Sequence, residues 1–361
     1  MKGQDTEMGV PSRWLRVCQA LLLVGVAAFA LALATGQAQR AWQAYLVNFL
    51  FWTGIAQCGV VFSAAVRVSR GQWSDVFRRM AESLWFFLPL SFVLFLAMML
   101  FGAKNIYSWA RAPVPGKEIW LNIPFVTLRD AAVFLALLGL SLAYIYYSQR
   151  WAPVLLIAFG VGYSLIGFDL LMSVEPQWVN TLFGWYFFVS AFYAMLAFLA
   201  VSGFLFRRAW GLERHLTANQ THDLGRLLFG LCLLTGGFFW SQWLVFWYGD
   251  LPEEIHPILH RFYEMPWAPF AWTMTYGGFV APLVILLSKP LKRNPKKLAA
   301  VAVWILAMLW IERYVWVVPS VWHGTGAPLM VELLITAGFA GGFFWGWISY
   351  NRRFPINDAL H

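Results

Sequence analysis

Long apolar runs separated by short polar segments repeat along the whole chain, and no alternation of strand period competes with them. A bilayer core of about 30 Å is crossed by about 20 apolar helical residues. Stretches of that length with at most one or two charges predict ten transmembrane helices. They centre on Val17 to Ala34, Ala44 to Val66, Ser83 to Phe101, Ala131 to Tyr147, Pro153 to Met172, Leu182 to Phe206, Leu224 to Trp247, Pro269 to Ser288, Leu298 to Val318 and Pro328 to Trp347. The fold class predicted is all-α and integral to the membrane. Arg13 and Arg16 precede an apolar run ending near Ala32, Leu33 and Ala34, the pattern of a signal peptide, but among ten spans this run reads as the first anchor.

Composition agrees with that pattern. The 361 residues are 60% hydrophobic and 12% charged, with a mean hydropathy of +0.62, against roughly 25% charged residues in a soluble domain. Basic residues orient the loops. With a cytoplasmic N-terminus, the outer side keeps only Arg40, Lys104, Arg111, Lys117, Arg129, Arg261 and Arg313 of the 26 lysines and arginines. Both termini are therefore expected in the cytoplasm, and the net charge of +9 becomes an inner collar against anionic lipid that requires no nucleic acid. Trp and Tyr crowd the span ends, as in "WSQWLVFWYGD", where amphipathic rings suit the headgroup layer. Gly338, Gly342 and Gly346 line one face of the last span, which predicts a close helix neighbour in this chain or another subunit.

Candidate chemistry lies in the few charges that the spans retain. Span five rises from Pro153, so Asp169 lies roughly 24 Å up the membrane core, and span nine brings Glu312 and Arg313 to roughly 21 to 23 Å. Glu332 enters just below the outer surface in span ten, and Glu175, Asp250, Glu253 and Glu254 occupy the adjoining outer loops. A charge at such depth costs at least about 2.5 kcal/mol, so these groups are expected to pair or to mark a proton or ligand route. Glu312 and Arg313 are adjacent and about 100° apart on a helix, which argues against their satisfying only each other. Arg313 is then expected to pair with Asp169 or Glu332, or to tune a proton-accepting carboxylate. At the inner ends, Glu82 opens span three, and His222 and Asp223 open span seven. There Thr221 and Asp223 read as helix caps, with an inner proton entrance as the alternative.

Histidine and cysteine narrow the cofactors. His215 and His222 fall at the inner surface, His256, His260 and His323 outside, and His361 at the tail, which does not suit a haem held by two imidazoles across spans. His256 and His260 stand four apart without a third clear ligand, so no metal site is expected. Cys18, Cys58 and Cys232 all fall within apolar spans and form no C-x-x-C pair, which leaves no iron–sulfur cluster or exposed disulfide framework.

Several stretches carry a resemblance. They are "AYLVNFLFWTGIAQCGVVFSA" in span two, "FDLLMSVEPQWVNTLFGWYFF" across spans five and six, "THDLGRLLFG" opening span seven, "QWLVFWYGDLPEE" closing it, and "RYVWVVPS" ending span nine. From about Ala44 to Ser320 the chain resembles the NrfD-like (polysulfide reductase type) membrane subunits, specifically the smaller of the two ten-helix subunits of alternative complex III, the bacterial quinol:cytochrome c oxidoreductase. The resemblance implies two four-helix bundles, residues 44–172 and 182–318, flanked by peripheral helices at 17–34 and 328–347. It also implies a bacterial inner-membrane subunit without a redox cofactor of its own. The partners implied are a sister NrfD-like subunit, periplasmic multihaem cytochrome c and iron–sulfur subunits, and a menaquinone or ubiquinone pool; lipids surround the whole. Carried over by position, the matching residues are Asp169, Ser173, Glu175, Trp178, His222, Asp223, Asp250, Glu253, Arg313 and Tyr314. Asp169, Glu175, Asp250, Glu312, Arg313, Tyr314 and Glu332 are the outer proton-path or quinol-side candidates, and Glu82, His222 and Asp223 the inner ones. The alternatives are a quinol-binding subunit with Asp169 or Glu332 as proton acceptor, and a secondary transporter with a midplane site.

Overall fold

The computed structural model describes residues 10–71, 75–249, 252–322 and 329–356, and among these it contains helices and no strand. Ten helices are long and apolar enough to cross a membrane: α1 Ser12–Ala34, α2 Ala38–Val68, α3 Asp75–Ile106, α4 Ile123–Tyr147, α5 Gln149–Val174, α6 Phe183–Leu205, α7 Ala218–Gly249, α8 Ala268–Ile285, α9 Pro295–Val321 and α10 Met330–Arg353. A shorter helix, Pro252–Tyr263, connects α7 to α8.

Contacts arrange the spans as two rings of four. In one, α2 packs on α3 and α5 while α4 packs on α3 and α5; in the other, α6 packs on α7 and α9 while α8 packs on α7 and α9. The rings meet where α2 touches α6 and α9. This position explains the composition of α2, which is buried along nearly its whole length and carries Gln43, Asn48, Thr53, Gln57 and Ser63 inward as well as its apolar residues. Those polar groups need partners where water is absent. Asn48 donates to the Thr336 hydroxyl at 2.9 Å and accepts from the Trp310 indole at 3.2 Å, and Gln57 donates to Ser141 at 3.3 Å.

The peripheral helices α1 and α10 pack mainly on each other. Gly25 faces Gly338 so closely that a Cβ on either would run into the other's backbone. Gly342 sits against Leu22 and Gly346 against the Phe86 ring of α3, so the neighbour of the glycine face belongs to this chain.

Span starts differ from the hydropathy reading in an informative way. Span four begins at Ile123, because the Asn122 side chain accepts from the Phe125 amide at 2.9 Å and Pro124 occupies the first turn. Arg129 and Asp130 therefore lie on the helix rather than before it. Likewise α2 starts at Ala38 and carries Arg40. In α7 the expected caps are corrected: Thr217 and Gln220 form a reciprocal capping box, each side chain accepting the other's amide, at 3.0 and 3.3 Å. The Thr221 hydroxyl instead donates to the Thr217 carbonyl at 3.0 Å.

Candidate functional site

The buried acids are distributed over separate clusters, each with its own arginine. Asp169 lies in a π-helical turn, Gly167–Leu171, near the end of α5. Such a turn widens the backbone and frees carbonyls for other donors; the buried Tyr107 hydroxyl donates to Leu170 O at 3.0 Å, and Ser173 Oγ, which accepts from Trp109 Nε1 at 3.2 Å, donates to the Asp169 carbonyl. The Asp169 side chain is fully buried. Its Oδ2 accepts from Arg129 Nε at 2.8 Å and its Oδ1 from Trp120 Nε1 at 3.2 Å. The Arg129 guanidinium lies 3.8 Å over the Trp120 ring and 4.6 Å from the Phe125 ring centre, two cation–π contacts with rings set edge to face. Asp130, on the next residue of α4, is fully buried as well.

A second cluster joins α9 to α6 across the other ring. Arg313 Nη1 donates to Glu312 Oε1 at 2.9 Å, and Ser190 donates to Glu312 Oε2 at 2.6 Å while accepting from Arg313 Nη2 at 3.0 Å. Arg313 also lies 4.8 Å over the Phe187 ring. The two neighbours in sequence pair, but not with each other alone: Ser190 bonds to both, and Arg313 Nη2 also donates to Phe187 O at 3.4 Å. The arginine is long enough to fold back over its own helix, and Ser190 fills the angle between the two side chains. Nor does Arg313 pair with Asp169 or Glu332. Asp169 has Arg129, and Glu332 of α10 is held by Arg40 of α2, with Nε to Oε1 and Nη2 to Oε2 both at 3.2 Å. Tyr314, buried beside these groups, packs among Trp310, Trp267 and Phe270.

Glu175 is half-buried beyond the end of α5 and acts on Arg261 of the connecting helix. Arg261 is fully buried and saturated by oxygens without contacting a carboxylate: Nε donates to Val315 O at 3.1 Å, Nη1 to Pro257 O at 2.7 Å, and Nη2 to Trp316 O at 3.2 Å and to the Ser320 hydroxyl. Pro319 explains the arrangement. It lacks the amide that would bond Val315 O in a continuous helix, and Arg261 replaces that donor. Burial pushes its guanidinium down to about 10 while the Glu175 carboxylate opposes the shift, so it remains a cation near neutrality. Trp178, of the same motif as Glu175, stacks on Trp316 at 5.3 Å.

At the other end, Glu82 Oε1 accepts from Arg78 Nη1 at 2.6 Å and from Ser63 at 2.5 Å, and Ser63 is bonded to the Tyr144 hydroxyl at 2.7 Å. His222 and Asp223 belong to a different group. Asp223 lies 3.6 Å from Arg226 and 3.9 Å from the His222 ring on α7, with Lys292 and Arg293 acting on His222. The polar seam Glu82, Ser63, Tyr144 points into the first ring, whereas His222 and Asp223 stand on the second.

Asp250, His323 and His361 lie outside the described residues. His260 is committed on both ring nitrogens, to Glu264 at 2.7 Å and to Pro319 O at 3.2 Å, which leaves neither for a metal shared with His256. Among the described residues no group of three His, Cys, Asp or Glu side chains is placed to hold a metal ion.

No family model matches the chain, and no curated protein matches it.

The residues that sequence reading missed are the partners. In the sequence Arg129 and Arg40 fall before their apolar runs, Trp120 is one aromatic among many, and Asp130 stands between a polar segment and a span. The signal that would have found them is "NIPFVTLRD": an Asn cap followed by Pro starts the helix early enough to carry Arg129 and Asp130 into its second turn. Two apolar grooves, one of about 470 Å³ between α7 and α8 and one of about 720 Å³ between α5 and α6, are lined by no carboxylate, lysine, arginine or histidine.

Proposed function

We propose that this chain is an NrfD-like membrane subunit of an alternative complex III type quinol:cytochrome c oxidoreductase, or of a relative using another periplasmic acceptor. In this reading it sits in the bacterial cytoplasmic membrane with both termini inside and the Glu175 end facing the periplasm. It carries no redox cofactor of its own, packs beside a sister NrfD-like subunit, and anchors periplasmic haem c and iron–sulfur subunits. Its own contribution to menaquinol or ubiquinol oxidation is to move protons released by the reaction.

The observation that carries the proton role is the Asp169 cluster: an acid fully buried in a transmembrane helix, on a π turn, held by an arginine and an indole. Buried ionisable groups in membrane helices are costly and mark proton or ion routes when they exceed what pairing requires. The polar seam at Glu82 supplies a counterpart at the other end of the same ring. The apolar grooves lie on other surfaces than the acids, which favours proton handling over a quinol-headgroup site in this chain.

The decisive experiment is purification of the full chain from its native membrane in mild detergent. Haem c absorbance and iron–sulfur paramagnetic signals should travel with it at fixed stoichiometry. A chain that purifies free of both, from membranes in which both are present, overturns the reading.

A further inference from the structure

Among the described residues, each buried acid of the spans is held by a cation except one. Glu312 has Arg313 and Ser190, Glu332 has Arg40, and Asp169 has Arg129 and Trp120; the half-buried Glu82 likewise has Arg78 and Ser63. Asp130 is 0% exposed, and neither of its carboxyl oxygens meets a hydrogen-bond partner. The titratable and charged groups facing it are Asp169 from α5, Arg129 from its own helix, and Tyr107 from the segment after α3. Tyr107 spends its hydroxyl proton on Leu170 O, and Arg129 spends Nε on Asp169. The two Nη atoms of Arg129 are buried and bond to nothing, with the guanidinium held against the Trp120 and Phe125 rings.

One guanidinium therefore serves two carboxyl groups. With both ionised, the site would hold an excess buried negative charge, on a carboxylate with no donor. One bound proton removes the excess charge and also supplies the missing hydrogen bond. It converts an Asp130 oxygen to O–H, which donates to Asp169; each Asp169 oxygen keeps a lone pair after accepting from Arg129 or Trp120. The asymmetry fixes which acid takes the proton, because Asp169 is stabilised as an anion by two donors and Asp130 by none.

We propose that Asp130 and Asp169 form a proton-binding carboxyl pair, in which Asp130 carries the exchangeable proton and Asp169, clamped by Arg129 and Trp120, accepts its hydrogen bond. Asp130 is the proton carrier and Asp169 its positioning residue. The proposal rests on the reading that this end of the bundle handles protons, and on neither quinol oxidation nor any partner subunit.

The test is infrared difference spectroscopy on the full chain in liposomes near neutral pH, in light and heavy water. A neutral-carboxyl C=O band that shifts in heavy water is expected, lost in Asp130→Asn and retained at a shifted frequency in Asp169→Asn. A carboxyl region unchanged by Asp130→Asn overturns the proposal. So does a band that sodium chloride abolishes and choline chloride does not, since the occupant is then a sodium ion. Asn at 130 offers the same donor as the protonated acid, so this variant is expected to fold; were it to misfold, Asp130→Glu must shift the band, and an unshifted band is equally fatal. Partners that fail to co-purify while the band behaves as described refute the complex and leave the pair, and the converse result refutes the pair alone.

Discussion

The Asp169 and Glu312 clusters each set a fully buried carboxyl against an arginine, yet their charge arithmetic differs. Around Glu312 there is one carboxylate and one guanidinium, with Ser190 bonded to both. Around Asp169 there are two carboxyls, one of them without a donor, and one guanidinium. A charge-balanced pair joins helices and has no reason to change state. An unbalanced one has a vacancy that a proton fills. Burial alone therefore does not distinguish structural charge from chemical charge; the tally of donors does.

The comparison can be broken most forcefully at the balanced cluster. Arg313→Met strands Glu312 in the interior and should cost about 3–5 kcal/mol, read by thermal unfolding in detergent. Adding Glu312→Gln to it should recover most of that loss, because a neutral pair carries no stranded charge; a double variant as unstable as the single one would show that the cluster does more than balance itself. Arg129→Leu should cost less, about 2–3 kcal/mol at neutral pH, because Trp120 still donates to Asp169. Its deficit should shrink as pH falls, since protonation neutralises what the arginine no longer balances, and a pH-independent deficit would contradict the excess-acid picture. Asp130→Asn should change stability by about 1 kcal/mol or less while impairing proton-coupled turnover of the assembled complex, and Glu175→Gln, at a half-exposed site, should shift unfolding least, by about 0.5 kcal/mol or less.

The helical fold was legible because spans advertise themselves by length and hydropathy, and the ten expected helices correspond to the ten observed. Helix starts were harder. Hydropathy marks where the apolar run begins, whereas Asn122 with Pro124 and Thr217 with Gln220 mark where hydrogen bonding begins, several residues earlier. The acids Asp169, Glu312 and Glu332 were legible as costly residues, but their partners were not. Pairing Asp169 with Arg129 and Glu332 with Arg40 depends on which helices adjoin, and helix adjacency leaves little trace in a single sequence. For Arg313 the expected partners Asp169 and Glu332 gave way to Glu312 beside it, because angular separation on a helix constrains Cβ atoms and a long guanidinium side chain escapes that constraint, with Ser190 completing the pair.

The Gly25–Gly338 contact has a consequence for biogenesis. The backbones of the first and last spans touch there, and Arg352 donates to Val10 O across 342 positions of sequence. A helix that enters the bilayer first must wait, its small-residue face turned to lipid, until the last one is made. The closing step of assembly thus joins the two ends of the described chain. A Cβ at Gly338 would run into the Gly25 backbone, so Gly338→Leu should leave insertion of α1 intact and trap the molecule one helix short of closure.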